Sequence, residues 1–114
     1  MATIYHLADF QCWSDQRLSG FYRGRDSDLV DGFLHFSTRE QIVESAARHR
    51  AGEPNLVLLA VDETMISDIV KWEESRGGAL FPHIYGAIPV AAVKWAEPLA
   101  LDENKIHIFP EMEA

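Results

Sequence analysis

Cysteine is almost absent from this chain: Cys12 is the only one in 114 residues. A lone cysteine cannot close an internal disulfide, so the expected setting is reducing and cytoplasmic. No apolar run approaches the ~20 residues that cross a bilayer. The opening "MATIYHLADFQ" has no basic stretch leading into an apolar one, so neither a membrane span nor a secretion signal is expected. Basic charge is scarce as well. Ten Lys and Arg face 18 Asp and Glu, for a formal net charge of −8. Such a field repels phosphate backbones and argues against general nucleic-acid binding. No His-x-x-x-His or Cys-x-x-Cys occurs, so no metal site is expected. Gly-x-Gly-x-x-Gly, a Walker loop and a Gly-x-Ser-x-Gly elbow are also missing.

What remains is an ordinary globular composition, 47% apolar and 25% charged, of a length that suits one domain over residues 1–114. "TIYHLA" (3–8) reads as a first strand. "DFQCWSDQRLSG" reads as a short helix stopped at Gly20, with Phe10, Trp13 and Leu18 as its apolar stripe. "FYRGRDSDLVDG" reads as a loop. "FLHFS" (33–37) is a second strand and runs into a capping box at Ser37 or Thr38. The helix that follows extends to about Arg50 and buries Ile42, Val43, Ala46 and Ala47. "NLVLLAVD" (55–62) is apolar enough to be a strand buried on both faces. "ETMIS" reads as a helical turn and "DIVKWEES" (68–75) as a strand. "ALFPHIYGAIP" (79–89) is expected to be extended but irregular because of its prolines. "VAAVKWAEPLAL" and "KIHIF" complete the set. The fold class is α+β: a compact domain of five to six mostly antiparallel strands, one main helix and short helices.

Histidine carries the chemical signal. His6, His35 and His83 each sit among apolar neighbours in extended segments, whereas His49 reads as a solvated helix end and His107 as pointing out from an edge strand. A buried imidazole needs partners for two ring nitrogens, so each of the three is either a satisfied core residue or faces a pocket. Alternation puts Phe33, His35 and Ser37 on one face of their strand, and His83 with Tyr85 on one face of theirs. Gly86 then permits close approach of a ligand to the backbone. Glu73 lies beside Trp72, and a carboxylate against aromatic surface is expected to have its pKa raised, which suits a general base. Ser37 and Thr38 have capping as a sufficient reason to be there. Arg17, Arg23, Arg25 and Arg39 form a local basic cluster in the first third that suits one small phosphate.

Taken in order, "IYHLA", "SGFYRG", "DGFLHFSTREQ", "LVLLAVD", "KWEES" and "FPHIYGAIPVAAV" resemble the bacterial domain-of-unknown-function 952 (DUF952) family over nearly the whole chain. That family in turn looks like a compact member of the ADP-ribosyltransferase-like superfamily. The resemblance implies NAD as ligand or cofactor, with a first-strand His on the nicotinamide-side ribose, a later His or Tyr stacking nicotinamide, and a Glu orienting the ribose hydroxyls. His6 matches the first position, with Leu7 where the pattern has Gly. His35 matches the second. Glu73 matches the third, with His83 and Tyr85 as the other candidates.

The resulting expectation is a His/Tyr-lined cleft for NAD or another small nucleotide. Its catalytic residues would be Glu73 and His35, and its ligand-binding residues His6, Arg23, Ser37, Thr38, His83, Tyr85 and Gly86. Its rivals are a non-catalytic ligand-binding or protein-interaction module, and a small hydrolase using His35 and Glu73 as acid and base.

Overall fold

The computed structural model describes residues 2–114 and has an α+β architecture. Its centre is β4, Leu56–Asp62, whose partners are β1, Thr3–Asp9, on one side and β8, Val93–Leu99, on the other, both antiparallel. Both faces of β4 are covered, as its unbroken apolar run requires. Leu56, Leu58 and Ala60 face one core with Tyr5, Leu99 and Ile42 of α3, Arg39–His49. Val57, Leu59 and Val61 face the other core.

That second core is closed by another antiparallel sheet. Here β6, Leu80–Ile84, lies between β3, Leu34–His35, and β5, Val70–Glu74. Leu34, Phe36 and Ile84 contribute its inward side chains. A two-stranded ribbon of β2, Phe21–Tyr22, and β7, Ile88–Pro89, adds Tyr22 and Ile88. A single bridge joins the two larger sheets, in which Tyr5 and Ser37 exchange both backbone hydrogen bonds at 2.8 Å. Among the described residues no helix is long and apolar enough to cross a membrane.

The architecture has eight strands in three sheets where the sequence suggests five or six. The extra ones are short: β2, β3 and β7 have two residues each, too few to display a period. Segment 80–84 is regular despite Pro82. In an antiparallel strand a residue's N–H and C=O point to the same neighbour. The Pro82 carbonyl accepts from the Phe36 N–H at 3.0 Å, so its missing donor falls where the two-residue β3 has already ended.

The segment read as a loop holds a helix, α2, Asp26–Asp31. Its start is fixed by the Arg25 N–H donating to Asp28 Oδ2 at 2.9 Å, and Gly32 closes it in the left-handed conformation. Gly24, at φ +85°, lets the chain pass close to this helix and to β3, since a Cβ there would lie 2.5 Å from Asp28 Oδ2 and 2.4 Å from Leu34 Cδ2. The short helix α1, Phe10–Gln16, buries Trp13 but leaves Phe10 exposed, and Leu18 is exposed in the 3-10 turn Arg17–Ser19 that follows. In α3 the Thr38 box is the one used, with the Thr38 N–H donating to Gln41 Oε1 at 3.0 Å. Ile42 and Ala46 are buried as expected, whereas Val43 and Ala47 are exposed, because only a narrow stripe of this helix meets the sheet. His107 is buried, not outward-facing; its Nε2–H donates to the Glu53 carbonyl at 2.8 Å.

Candidate functional site

Between the two larger sheets lies a cavity of about 490 Å³. His6 from β1, His35 from β3 and His83 from β6 all line it, with Ser37 just beyond β3. The three imidazoles do not stand in equivalent surroundings.

His6 is committed to the protein. Its Nδ1–H donates to the His35 carbonyl at 2.7 Å, and its Nε2 accepts from the Tyr22 hydroxyl at 2.9 Å. The ring stacks on Phe36 with centroids 4.8 Å apart. Burial pulls its pKa below the ordinary histidine value, which keeps it neutral and fixes the tautomer that satisfies both bonds. Burial likewise pushes the Tyr22 hydroxyl far up, so it remains a donor.

His83 and His35 sit side by side as a β3–β6 register pair, their rings edge to face with centroids 5.3 Å apart. Each has a carboxylate behind it. Glu73 Oε1 accepts from His83 Nδ1–H and from the Tyr85 hydroxyl, both at 2.7 Å. Asp31 Oδ2 accepts from His35 Nε2–H at 3.1 Å. Phe33 packs against three of these rings: it stacks on His83 at 4.3 Å and tilts against His35 and Tyr85 at 4.6 and 5.2 Å. The sheet alternation puts them together, since Phe33, His35, Lys71, Glu73, His83 and Tyr85 share one face. His83 is more than nine-tenths buried. Its Nε2 has no partner among the described residues and is not sealed from solvent.

Two expectations are corrected here. His35 does not sit in a buried strand; its side chain is more than half exposed at the cavity edge, because β3 is a short outer strand. Glu73 has its carboxyl held below, not above, the usual glutamate value. The Tyr85 hydroxyl is the larger cause and the His83 N–H the next, since two donors to one oxygen favour the charged form more than neighbouring aromatic surface opposes it. The same bond raises Tyr85 above the ordinary tyrosine value.

The remaining site candidates divide. Ser37 lines the cavity and is buried, its hydroxyl 3.2 Å from that of Ser45. Glu73, Thr38 and Tyr85 are not part of the lining. Arg23 and Gly86 border a separate hollow of about 330 Å³, together with Phe33. Arg25 does reach the main cavity, as does Arg50. Asp9 ties them together: it pairs with Arg25 at 3.4 Å and with Arg50 in a close contact, while Arg50 also donates to Glu53 and to the Leu7 carbonyl. Sequence reasoning missed Tyr22, Asp31 and Arg50. Asp31 had no local signal, since it ends α2 while His35 lies in a strand beyond the Gly32 turn. Arg50 read only as the end of the helix. Cys12 donates to the Gly24 carbonyl at 3.1 Å, and burial pushes its thiol up, which leaves it a packing residue rather than a nucleophile. Among the described residues no group of three or more His, Cys, Asp or Glu is arranged to hold a metal ion.

No curated protein matches the chain. Among solved structures, the crystal structure of protein CC0527 from Caulobacter crescentus is 40% identical, with 93% of each chain covered and a TM-score of 0.87. A double mutant of that protein gives the same values. Its solution NMR structure, covering 93% of this chain and 91% of that one, gives a TM-score of 0.81. Residues 7–96, which carry His35, His49 and His83 of the cavity lining and the whole of the β3–β6–β5 sheet, match the family described as "Protein of unknown function (DUF952)", and the chain belongs to that family.

Proposed function

We propose that the cavity binds a small ligand of the nucleoside or nucleotide class, NAD included. The observation that carries this reading is the convergence of His6, His35 and His83, from two different sheets, on one hollow. Its volume lies within the ~300–1,000 Å³ typical of small-molecule sites. Arg25 and Arg50 on its wall suit a phosphate, and Ser37 and Asp31 suit ribose hydroxyls. The reading takes residues 1–114 as one domain working in the cytoplasm, where a lone half-buried thiol is at home.

Use of the site in the manner of an ADP-ribosyltransferase is the narrower form of the proposal. The first-strand His6 supports it. Two features weigh against it: both ring nitrogens of His6 are already occupied, and Glu73 stands behind His83 rather than in the lining. The ligand-facing groups in the broader reading are therefore His83 and His35, with Glu73 and Tyr85 as positioning residues and His6 as a structural wall.

A chemical-shift titration with NAD, ADP-ribose, adenosine and nicotinamide tests the proposal. The expected result is saturable shifts confined to the amides around His6, His35, Ser37 and His83. A ligand present at a hundredfold excess over its Kd should also raise stability by about 2.7 kcal/mol. Flat titrations with all four probes would overturn the reading and favour a protein-interaction module.

A further inference from the structure

We propose that His35 and His83 are the two protein ligands of a divalent transition-metal ion, zinc or one of similar softness, held at the edge of the cavity. The nucleotide reading is not needed for this; the two rings and their carboxylates are enough.

Each ring has one nitrogen occupied and one open. His83 Nδ1–H donates to Glu73 Oε1 at 2.7 Å, and His35 Nε2–H donates to Asp31 Oδ2 at 3.1 Å. In the neutral rings the lone pairs are therefore on His83 Nε2 and His35 Nδ1. Neither of these nitrogens has a partner among the described residues, although His83 is more than nine-tenths buried. The β3–β6 register sets the rings side by side, their planes at 77°. Two lone pairs are both acceptors and cannot bond each other, whereas one cation satisfies both. Two imidazoles bound through nitrogen, at about 2.1 Å, to one tetrahedral ion have centroids roughly 5 Å apart. The observed separation is 5.3 Å.

The equivalent surroundings of the two rings suit this role. A metal-ligating histidine ordinarily gives its other N–H to a carboxylate or carbonyl, which fixes the tautomer and makes the open nitrogen more basic. Glu73 and Asp31 do this for His83 and His35 alike. His6 differs, because the Tyr22 hydroxyl already uses its second nitrogen. Phe33 packs on both rings of the pair, at 4.3 and 4.6 Å, and gives them an apolar backing. Imidazole nitrogen selects zinc, copper or nickel over magnesium and calcium, which take oxygen ligands. The carboxylates stand behind the rings, so the chain supplies two ligands. That agrees with the absence, among the described residues, of any ligand group of three or more. Both rings line the cavity, which leaves the remaining coordination positions to water or to an oxygen of the cavity's occupant. No sequence motif announces the pair, because it exists only through strand pairing.

The test titrates chelator-treated protein with Zn²⁺ and, separately, Mg²⁺ by calorimetry, and follows the histidine ring nitrogens by ¹⁵N NMR. One Zn²⁺ per chain should bind saturably, and far more tightly than Mg²⁺. Among the five histidines, zinc should move His35 Nδ1 and His83 Nε2 and leave the rings of His6, His49 and His107 in place. Glu73→Gln and Asp31→Asn keep both ligands and should weaken zinc binding by about 10–100-fold. His35→Ala and His83→Ala should weaken it further. His35 and Asp31 are exposed, so their variants probe the site even where His83→Ala disturbs folding. Zinc binding that is absent or no tighter than that of Mg²⁺ overturns the proposal. So do zinc shifts at other ring nitrogens, or at only one of the two. Parent-like affinity in either histidine variant, or in both carboxylate variants, overturns it as well.

Discussion

The two larger sheets are built from similar strands and do different work. In the β1–β4–β8 sheet, β1 and β4 are buried on both faces, and its one histidine, His6, has every ring nitrogen satisfied from within. The β3–β6–β5 sheet buries one face and turns the other to a cavity edge, where His35 and His83 are held by carboxylates and keep a nitrogen each for something else. Enclosure on both sides makes a polar residue structural. Enclosure on one side, with a partner behind the ring, makes it available.

The largest effect expected from this contrast is in the core. Leu59→Ala in β4 should cost about 2–5 kcal/mol, because the doubly covered sheet cannot collapse around the gap. Phe33→Leu, on the cavity face of the other sheet, should cost less than about 1.5 kcal/mol. Urea denaturation of the two variants checks both, and equal losses would erase the distinction. Next comes Tyr22→Phe, which leaves the buried Nε2 of His6 without its donor and should cost about 1–3 kcal/mol.

Acid should separate the sheets more gently. His6 has a depressed folded-state pKa, so below the unfolded value of 6.5 the unfolded chain binds the extra proton. Its contribution is complete above pH 6.5 and is lost progressively as pH falls from there towards the folded value. Glu73 is also depressed, but from 4.5, so its contribution is complete above pH 4.5 and is lost as pH falls through the folded value. Stability against pH should therefore show an early decline that His6→Gln removes and a later one that Glu73→Gln removes. The smallest effect is that of Glu73→Gln itself at neutral pH, where a denaturation midpoint close to the parent's is expected because the group is partly exposed.

How much of this was legible depended on whether a signal was local. β4 was readable from its own apolar run, and α3 from the Thr38–Gln41 box at its start. Strand alternation put His35 with Phe33 on one strand's face and His83 with Tyr85 on another's, and only the β3–β6 pairing brings the two faces together. The short strands β2, β3 and β7 exist only through partners far along the chain. The helix α2 has no apolar stripe, for Leu29 and Val30 are exposed, and it is held by its termini instead. The sign of the Glu73 shift was out of reach for the same reason: Trp72 is adjacent in sequence, but the donors that decide the matter come from β6 and from Tyr85 just after it.

The Tyr5–Ser37 bridge gives the molecule a pivot. Its two backbone bonds fasten the sheet that carries His6 to the strand that carries His35, on the rim of the cavity itself. That rim is fastened by backbone bonds, whereas on the opposite side α2 and His35 are exposed and α2 is held by its termini. Amide protons at Tyr5 and Ser37 should then exchange with deuterium only on global opening, while those of α2 exchange early.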